Sequence, residues 1–156
     1  GSLFNILGGQ VLDAVVLDLF GGTGALALEA LSRGAARAVS ADTSRRAIEV
    51  ISRNAAHVLK DELEARVRIV KADYRSAISA LGERFDLVFL DPPYRMTDAY
   101  ADAMARLLSA RALTEGAVIV CERRRDVEID VPDGFEIYDM RSYGETAIDF
   151  VRRIEG

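Results

Sequence analysis

The sequence predicts an α/β fold, in which a mostly parallel sheet carries helices on both faces and ends in one antiparallel edge. Two observations support this prediction. Continuous apolar segments alternate five times with helical patterns, as expected for strands that are buried on both faces of a sheet. Two further strand-like segments close the chain around the turn residues 142–145, which indicates an antiparallel hairpin.

Length and composition fit one domain that covers residues 1–156. No apolar run reaches the roughly 18 residues of a membrane span, and no leader-like segment opens the chain. Cys121, the only cysteine in the sequence, excludes an internal disulfide. We therefore expect a protein of the reducing cytoplasm that does not contact a membrane.

The start of the chain, residues 1–12, is predicted to be the remnant of an N-terminal helix that stops at Gly8-Gly9. Because no convincing cap precedes this helix, we expect the natural chain to extend upstream. Gly1-Ser2 fits an expression scar, and a native Ser2 is the alternative.

The remaining elements are predicted from apolar patterns and end signals. Gly34 follows the first of these helices, and Ser44 or Thr43 caps the second, whose apolar positions, Val58 among them, recur at three- and four-residue spacing. Thr97 is expected to cap the last, alanine-rich helix. The predicted strands are residues 15–20, 38–41, 67–70, 87–90, 117–121, 135–140 and 147–151. The predicted helices are residues 25–33, 47–59, 77–81 and 98–110.

The fourth strand is followed by Asp91-Pro92-Pro93-Tyr94, a segment that combines hydrogen-bond acceptors with an aromatic ring. Proline lacks an N–H donor and has a fixed φ, so the chain leaves the sheet here, at the edge where open α/β sheets bind ligands. A carboxylate, the carbonyls beside the prolines and an aromatic ring suit a planar group that bears an amino substituent, because the oxygens accept its hydrogens and the ring stacks on it. An ordinary proline turn is the alternative.

The loop after the first strand combines a carboxylate, Asp18, with small residues. Gly22 and Gly24 remove Cβ atoms where a backbone must approach a ligand, and the following helix N-terminus offers free N–H groups. Gly22-x-Gly24-x-x-Ala27 also matches the dinucleotide fingerprint, with Asp42 lying 20 residues beyond Gly22. The sequence therefore predicts a nucleotide-type cofactor site at this loop.

Two cofactors suit such a site. NAD would place its pyrophosphate at the helix N-terminus, whereas S-adenosylmethionine has no phosphate and carries a sulfonium. Asp18 is positioned for the ammonium of S-adenosylmethionine, directly or through water, Asp42 for ribose hydroxyls and Asp73 for the adenine amino group. Three carboxylates at three successive strand ends favour the cationic, phosphate-free cofactor. The alternative for Asp73 is a helix N-cap.

With these motifs, the chain resembles the class I S-adenosylmethionine-dependent methyltransferases that carry an Asp/Asn-Pro-Pro-aromatic motif for amino-group methylation. More narrowly, it is similar to the bacterial 16S ribosomal RNA guanine-N2 methyltransferase family, small-subunit methyltransferase D. The residues that carry the narrower resemblance extend over nearly the whole chain: Leu3-Phe4-Asn5-Ile6-Leu7, Leu17 to Leu26, Glu29 to Ala35, Asn54, Phe89 to Tyr94 and Tyr143-Gly144.

The resemblance implies a Rossmann-like sheet of seven strands in the order 3-2-1-4-5-7-6, with the last strand antiparallel. It implies methyl transfer from S-adenosylmethionine to the exocyclic N2 of a guanine in 16S rRNA, within a 30S subunit or an assembly intermediate, by a monomer without a metal. The implied catalytic residues are Asp91, Pro92, Pro93 and Tyr94. The implied cofactor-binding residues are Asp18, Phe20, Gly21, Gly22, Thr23, Gly24, Asp42, Thr43, Ala72 and Asp73.

Two departures from the family stand out. Gly21 lies where the family usually has alanine, and the basic segment that the family carries upstream of the first helix is absent here. Because the net charge is −5, we expect this chain to bind the cofactor well and RNA poorly. The arginine clusters, Arg45-Arg46 and Arg123-Arg124-Arg125 among them, fit either a solvated face or phosphate contacts.

Other functions remain open on the residues. Adenine N6, cytosine N4 or a protein glutamine amide would present a similar amino group to the same acceptors. A non-catalytic scaffold that binds S-adenosylmethionine or RNA would not need the full acceptor set, and an NAD oxidoreductase would need a proton-relay residue. His57, the single histidine, is expected to be a partly exposed packing residue. Asn54 fits either the family position or a hydrogen bond between elements.

Overall fold

A computed structural model describes residues 2–62 and 66–154 of the chain. Its centre is a seven-stranded sheet of order β3-β2-β1-β4-β5-β7-β6, which confirms the predicted fold class and strand order. The strands are β1 (Val15–Asp18), β2 (Arg37–Asp42), β3 (Val67–Lys71), β4 (Phe85–Leu90), β5 (Leu113–Arg124), β6 (Phe135–Tyr143) and β7 (Thr146–Arg153).

Five α-helices accompany the strands in the described ranges: α1 (Ser2–Leu7), α2 (Ala25–Ser32), α3 (Arg45–Leu59), α4 (Tyr74–Leu81) and α5 (Ala99–Ser109). Short 3-10 turns follow α1 at Gly8–Gln10 and α3 at Lys60–Glu62. Within residues 2–62 and 66–154, no helix has the length and apolar character that crossing a membrane requires.

Strand direction follows the prediction. Strands β1 to β5 pair in parallel, and β7 runs antiparallel between β5 and β6. Parallel neighbours end at the same edge of the sheet, so the residues after β1, β2, β3 and β4 come together there. This common carboxyl edge positions the candidate site.

The core consists of two layers, one on each face of the sheet. Alternate residues of a strand point to opposite faces, so Leu17 and Val88 pack with helices α4 and α5, whereas Val16 and Leu87 pack with helices α1, α2 and α3. All four side chains are fully buried. Burial on both faces explains why the central strands read as continuous apolar runs.

Several local predictions meet the structure directly. The Ser44 hydroxyl accepts a hydrogen bond from the Ala47 N–H over 3.2 Å, which confirms the predicted cap of α3. Val58, one of the apolar positions from which this helix is predicted, does not join the core, since it is 49% exposed. The predicted Thr97 cap is also wrong, because α5 begins after Asp98 and has no side-chain cap bond.

The fifth strand is much longer than predicted. It spans Leu113–Arg124, whereas the apolar pattern indicated only residues 117–121. The exposed Glu115 and Gly116 interrupt that pattern, but backbone pairing with β4 starts before them, at Leu113, with a register shift. A pattern of apolar side chains therefore marks the buried part of a strand rather than its hydrogen-bonded length.

The loop residue Gly21 lies close to Ser40 and Ile51, a proximity that the neighbouring residues in the sequence do not indicate. A Cβ atom at this position would lie 2.4 Å from the Ser40 Oγ and 3.0 Å from the Ile51 Cδ1. The Ser40 hydroxyl is buried, and no hydrogen-bond partner is found for it in the described part of the chain. An alanine at position 21, which is usual in the resembled family, would therefore clash with the Ser40 hydroxyl.

Replacing Gly21 with alanine should therefore lower the free energy of unfolding by roughly 1–3 kcal/mol, the usual cost of overpacking. Adding Ser40→Ala should recover part of this loss, because it removes the nearest clashing atom. Urea denaturation of Gly21→Ala, Ser40→Ala and the double variant measures both effects. Ser40→Ala alone should be no less stable than the wild type. A Gly21→Ala variant of wild-type stability would show that the loop yields freely.

Candidate functional site

The loop between β1 and α2 is shaped by two glycines. Gly22 has φ +57° and Gly24 has φ +80°, a left-handed backbone that side chains disfavour. The loop is also tied to the sheet, since the Gly21 N–H donates to the Ala41 carbonyl over 2.8 Å. The chain therefore crosses the carboxyl end of β1 as a tight turn before entering α2.

Asp42, at the end of β2, holds this loop against the next one. Its Oδ2 accepts the Gly22 N–H over 3.0 Å, and its Oδ1 accepts the Ser44 N–H over 2.9 Å. The residue is only half-buried, and a carboxylate oxygen has more than one acceptor position. Asp42 can thus bind a ligand hydroxyl while keeping both loops in place.

Asp73 acts locally as a helix cap. Its Oδ1 accepts the Ser76 N–H over 2.8 Å at the start of α4, as in the alternative interpretation of this residue. The same hydrogen bond, more than any other contact, holds the pKa of Asp73 below its ordinary value. Since the side chain is exposed, a role toward a ligand stays a prediction.

Asp18 differs from the other carboxylates because it is buried, with 2% of its surface exposed. Burial raises its pKa from an ordinary 3.8 to about 7; nearby Asp91 and Asp42 add to the shift, and a hydrogen bond from the Phe20 N–H opposes it. A charged Asp18 is therefore costly to the fold at neutral pH.

The Asp91-Pro92-Pro93-Tyr94 loop leaves the sheet directly after β4. Pro92 is buried and anchors the loop, whereas Tyr94 is 73% exposed. The Met96 N–H donates to the Pro93 carbonyl over 2.8 Å, but the Pro92 carbonyl accepts none of the turn and loop backbone hydrogen bonds found in residues 2–62 and 66–154. An acceptor and an aromatic face are thus available for a ligand.

These loops enclose a cleft of about 560 Å³ at the carboxyl edge of the sheet. It brings together nine of the residues predicted for the site: Phe20, Gly22, Asp42, Thr43, Asp73, Asp91, Pro92, Pro93 and Tyr94. Five predicted residues do not line it: Asp18, Gly21, Thr23, Gly24 and Ala72. Gly21, Thr23 and Gly24 belong to the loop between β1 and α2, while Asp18 ends β1 and Ala72 follows β3, so their roles toward a cofactor stay predictions.

Four further residues line this cleft, and sequence reasoning missed them: Leu19, Tyr74, Arg75 and Met96. Tyr74 stacks obliquely on Phe20 with ring centroids 5.6 Å apart, and its hydroxyl donates to Asp102 over 2.5 Å. Its position directly after Asp73 was the available signal, since a residue that follows a strand-end acid lies at the same edge.

A second, smaller cleft of about 190 Å³ lies on the other side of the Asp91–Tyr94 loop. The same four loop residues line it, together with residues of β5 and α5 that include Tyr100 and Glu122. Asp91 as a residue is exposed, but its carboxyl group is partly desolvated at this cleft. This desolvation and the adjacent Glu122 carboxyl raise the pKa of Asp91 to about 7. One loop therefore forms the wall between two clefts.

The charges of the larger cleft decide which cofactor it fits. Three carboxylates line it, and Arg75, the single cation among its described lining residues, pairs with Asp102 over 3.2 Å. A pyrophosphate would meet net negative charge there, which disfavours NAD. Ribose hydroxyls, an adenine amino group and an ammonium all supply donors to carboxylates, so the residues fit S-adenosylmethionine.

The other candidate residues occupy structural positions. The Asn54 Nδ2 donates to the Thr23 carbonyl over 2.9 Å, which is the predicted contact between elements, and His57 is exposed. Arg123 pairs with the buried Asp149, whereas Arg45-Arg46 lies exposed at the start of α3. In the described ranges, no group of three His, Cys, Asp or Glu side chains has a metal-binding arrangement.

Comparison with known proteins identifies the family to which this chain belongs. The family model described as Conserved hypothetical protein 95 matches residues 1–152, which is nearly the whole chain. A solved structure of a conserved hypothetical protein from Streptococcus pyogenes superimposes with a TM-score of 0.87 at 33% identity, covering 98% of this chain and 94% of that one.

Two curated relatives have named activities. The Bacillus subtilis protein YlbH, named as a candidate rRNA methyltransferase, is 31% identical over 157 residues, which span 97% of this chain and 83% of YlbH. Ribosomal RNA small subunit methyltransferase D of Escherichia coli K12 is 39% identical over 94 residues, which span 60% of this chain and 46% of that protein.

The burial of Asp18 generates a prediction about pH and stability. Because its folded-state pKa is raised from 3.8 to about 7, the Asp18 contribution to stability is complete below about pH 4 and is lost as the pH rises to about 7. Asp18→Asn, which stays neutral, should therefore gain stability relative to the wild type between pH 5 and pH 8, by an amount on the order of 3 kcal/mol.

Urea denaturation at pH 5 and pH 8 measures this difference. The Asn carbonyl oxygen can still accept the Phe20 N–H, so the loop geometry is retained. Asp133→Asn, an exposed carboxylate, is the control and should leave the pH dependence unchanged. A wild-type pH dependence in Asp18→Asn would contradict the raised pKa.

Proposed function

Because the chain belongs to the Conserved hypothetical protein 95 family of rRNA methyltransferases, similar to ribosomal RNA small subunit methyltransferase D, we infer that it transfers a methyl group from S-adenosylmethionine to ribosomal RNA. The seven-stranded sheet is that of the class I methyltransferases. The observation that carries the inference is the Asp91–Tyr94 loop, which separates a cofactor-sized cleft from a smaller one that faces the same acceptor groups.

We further propose that the methylated atom is the exocyclic N2 of a guanine in 16S rRNA. The supporting features are the intact Asp91-Pro92-Pro93-Tyr94 motif and the relative named for the small subunit. In this proposal a monomer acts in the cytoplasm on a 30S subunit or an assembly intermediate.

The larger cleft is proposed to hold the cofactor. Asp42 would accept the ribose hydroxyls, Asp73 the adenine amino group and Asp18 the ammonium through water. Phe20 and Thr43 would contact the adenosine part, while Ala72 and the loop residues Gly21, Gly22, Thr23 and Gly24 shape the backbone around it. When bound, S-adenosylmethionine supplies an electrophilic methyl, whose bond to sulfur breaks as the new N–C bond forms, leaving S-adenosylhomocysteine.

The loop residues would prepare the acceptor amine. An exocyclic amine is a weak nucleophile because its lone pair is delocalised into the ring. Asp91 and the Pro92 carbonyl accept its two N–H bonds and thereby favour a lone pair aimed across the loop, while the exposed Tyr94 ring stacks on a flipped-out base. The proton lost from the amine passes to Asp91, whose pKa of about 7 suits that task, and then to solvent.

The direct test is incubation with tritiated S-adenosylmethionine and 30S subunits, naked 16S rRNA or duplex DNA. Label should enter ribosomal RNA and co-migrate with N2-methylguanosine after digestion to nucleosides. Label in N6-methyladenosine, N4-methylcytidine or a protein glutamine would move the specificity to another amino group. Binding of S-adenosylmethionine without transfer to any acceptor would favour a scaffold.

Asp91→Ala is expected to reduce methyl transfer by at least about a hundredfold, because one preorganised acceptor at the reacting group is removed. Its affinity for S-adenosylhomocysteine, measured by calorimetry, should stay near that of the wild type. Asp98→Ala removes an exposed carboxylate that caps no helix N–H and serves as the matched control. Full transfer by Asp91→Ala would refute the assigned role.

Asp42→Ala is expected to weaken S-adenosylhomocysteine binding by about tenfold to a hundredfold, since a charged hydrogen-bond acceptor contributes roughly 1.5–3 kcal/mol. Asp42→Asn should lose less, because it keeps an oxygen for the Gly22 N–H. Calorimetry gives the affinities, and thermal melting checks that the loops stay folded. Unchanged affinity in a folded Asp42→Ala variant would leave Asp42 as a loop-bridging residue only.

A further inference from the structure

The smaller cleft contains a second carboxyl group next to Asp91. Parallel pairing places Leu90 of β4 opposite Cys121 of β5, so the residues that follow, Asp91 and Glu122, leave the two strands side by side. Both residues line the smaller cleft, and the Glu122 carboxyl adds to the effect of desolvation in raising the pKa of Asp91. Two carboxyl groups therefore face one small space.

The backbone under this pair is firmly held. The Tyr100 hydroxyl, from helix α5, donates to the Glu122 carbonyl oxygen. Glu122 also pairs with Ile148 of β7, in the interior of the sheet. The Glu122 side chain thus projects from a fixed strand rather than from a mobile loop, as a specificity-determining group requires.

The nearby cations are committed elsewhere. Arg123 binds the buried Asp149 through its Nε over 2.5 Å, and Arg124 pairs with Asp126 over 3.2 Å. In residues 2–62 and 66–154, no Lys, Arg or His ion-pairs with Asp91 or Glu122. Arg123 and Arg124 also line the cleft, but their guanidinium groups pair with Asp149 and Asp126, which leaves the Asp91 and Glu122 oxygens available as acceptors.

The paired carboxyl groups of Asp91 and Glu122 favour a ligand edge with several N–H donors. In their ionised forms Asp91 and Glu122 can only accept hydrogen bonds, so the ligand must supply the donors. Guanine presents an N1–H and an N2 amine side by side, whereas adenine presents an unprotonated N1 beside its amine. A carboxylate accepts hydrogen bonds from the guanine N1–H and N2 amine, but it repels the lone pair on the adenine N1.

We propose that Glu122 and Asp91 together select the acceptor base, with Glu122 accepting the ring N–H and Asp91 accepting the neighbouring exocyclic amine. This proposal rests on the proposed methyl transfer and deepens it, since it gives the smaller cleft a specificity for guanine over bases with an acceptor at the ring position. Glu122 is thereby a substrate-contacting residue outside the Asp91–Tyr94 motif.

The test uses the RNA that accepts label in the experiment above, synthesised with either guanosine or 2,6-diaminopurine at the labelled position. Both bases carry the 2-amino group, but 2,6-diaminopurine has an acceptor at N1. For the wild-type chain, kcat/KM should favour guanosine by at least about tenfold, because the analogue leaves a buried acceptor pair unmatched. Glu122→Gln places an amide N–H donor opposite N1 and should lower this preference at least about tenfold.

Two controls separate specificity from folding. Glu115→Gln, an exposed carboxylate near the other end of β5, should keep the wild-type preference. Binding of S-adenosylhomocysteine by Glu122→Gln should match the wild type, since Glu122 does not line the larger cleft. An active Glu122→Gln variant with the wild-type base preference would overturn this inference alone. Absence of transfer to any RNA by the wild-type chain would overturn it together with the proposed function.

Discussion

Parallel pairing of β4 between β1 and β5 is the constraint on which the rest of the site depends. Strands that run in parallel end at one edge, so residues that are far apart in the sequence meet there without any direct attraction between them. Burial of β4 on both faces fixes its position, and the two prolines force the chain out of the sheet at a defined point. The loop that results is therefore placed by the core rather than by its own contacts.

This arrangement gathers negative charge. Asp18 and Asp42 end β1 and β2, and Asp91 follows β4. The pKa of both Asp18 and Asp91 is raised to about 7. Like-charged groups in partial burial destabilise the folded chain, so their presence together fits a ligand that supplies hydrogen-bond donors. The backbone N–H groups of Gly22 and Ser44 offset part of the charge at Asp42.

The two clefts would place the methyl donor and the acceptor base of the proposed reaction on opposite sides of the Asp91–Tyr94 loop. One side of the Asp91–Tyr94 loop faces carboxylates, backbone and the Phe20–Tyr74 aromatic pair, and the other faces Glu122 and Tyr100. A methyl donor and a planar acceptor on opposite sides of one loop would meet at the Asp91 and Pro92 oxygens. Catalysis would then come mainly from positioning and electrostatic fit, since no strong base is needed to orient an amine.

The sequence by itself determined the fold class and the carboxylates at the strand ends, because apolar runs mark buried strands, and glycine or proline marks where they end. The strand order came from the family resemblance. It did not determine which of these carboxylates line the cleft: Asp18 is buried and does not line it, whereas Asp42, Asp73 and Asp91 do. Only the tertiary structure placed Tyr74 in the aromatic wall and Glu122 beside Asp91. Glu122 lies beside Asp91 because Leu90 pairs in parallel with Cys121, and two continuous apolar runs without polar alternation do not specify that register.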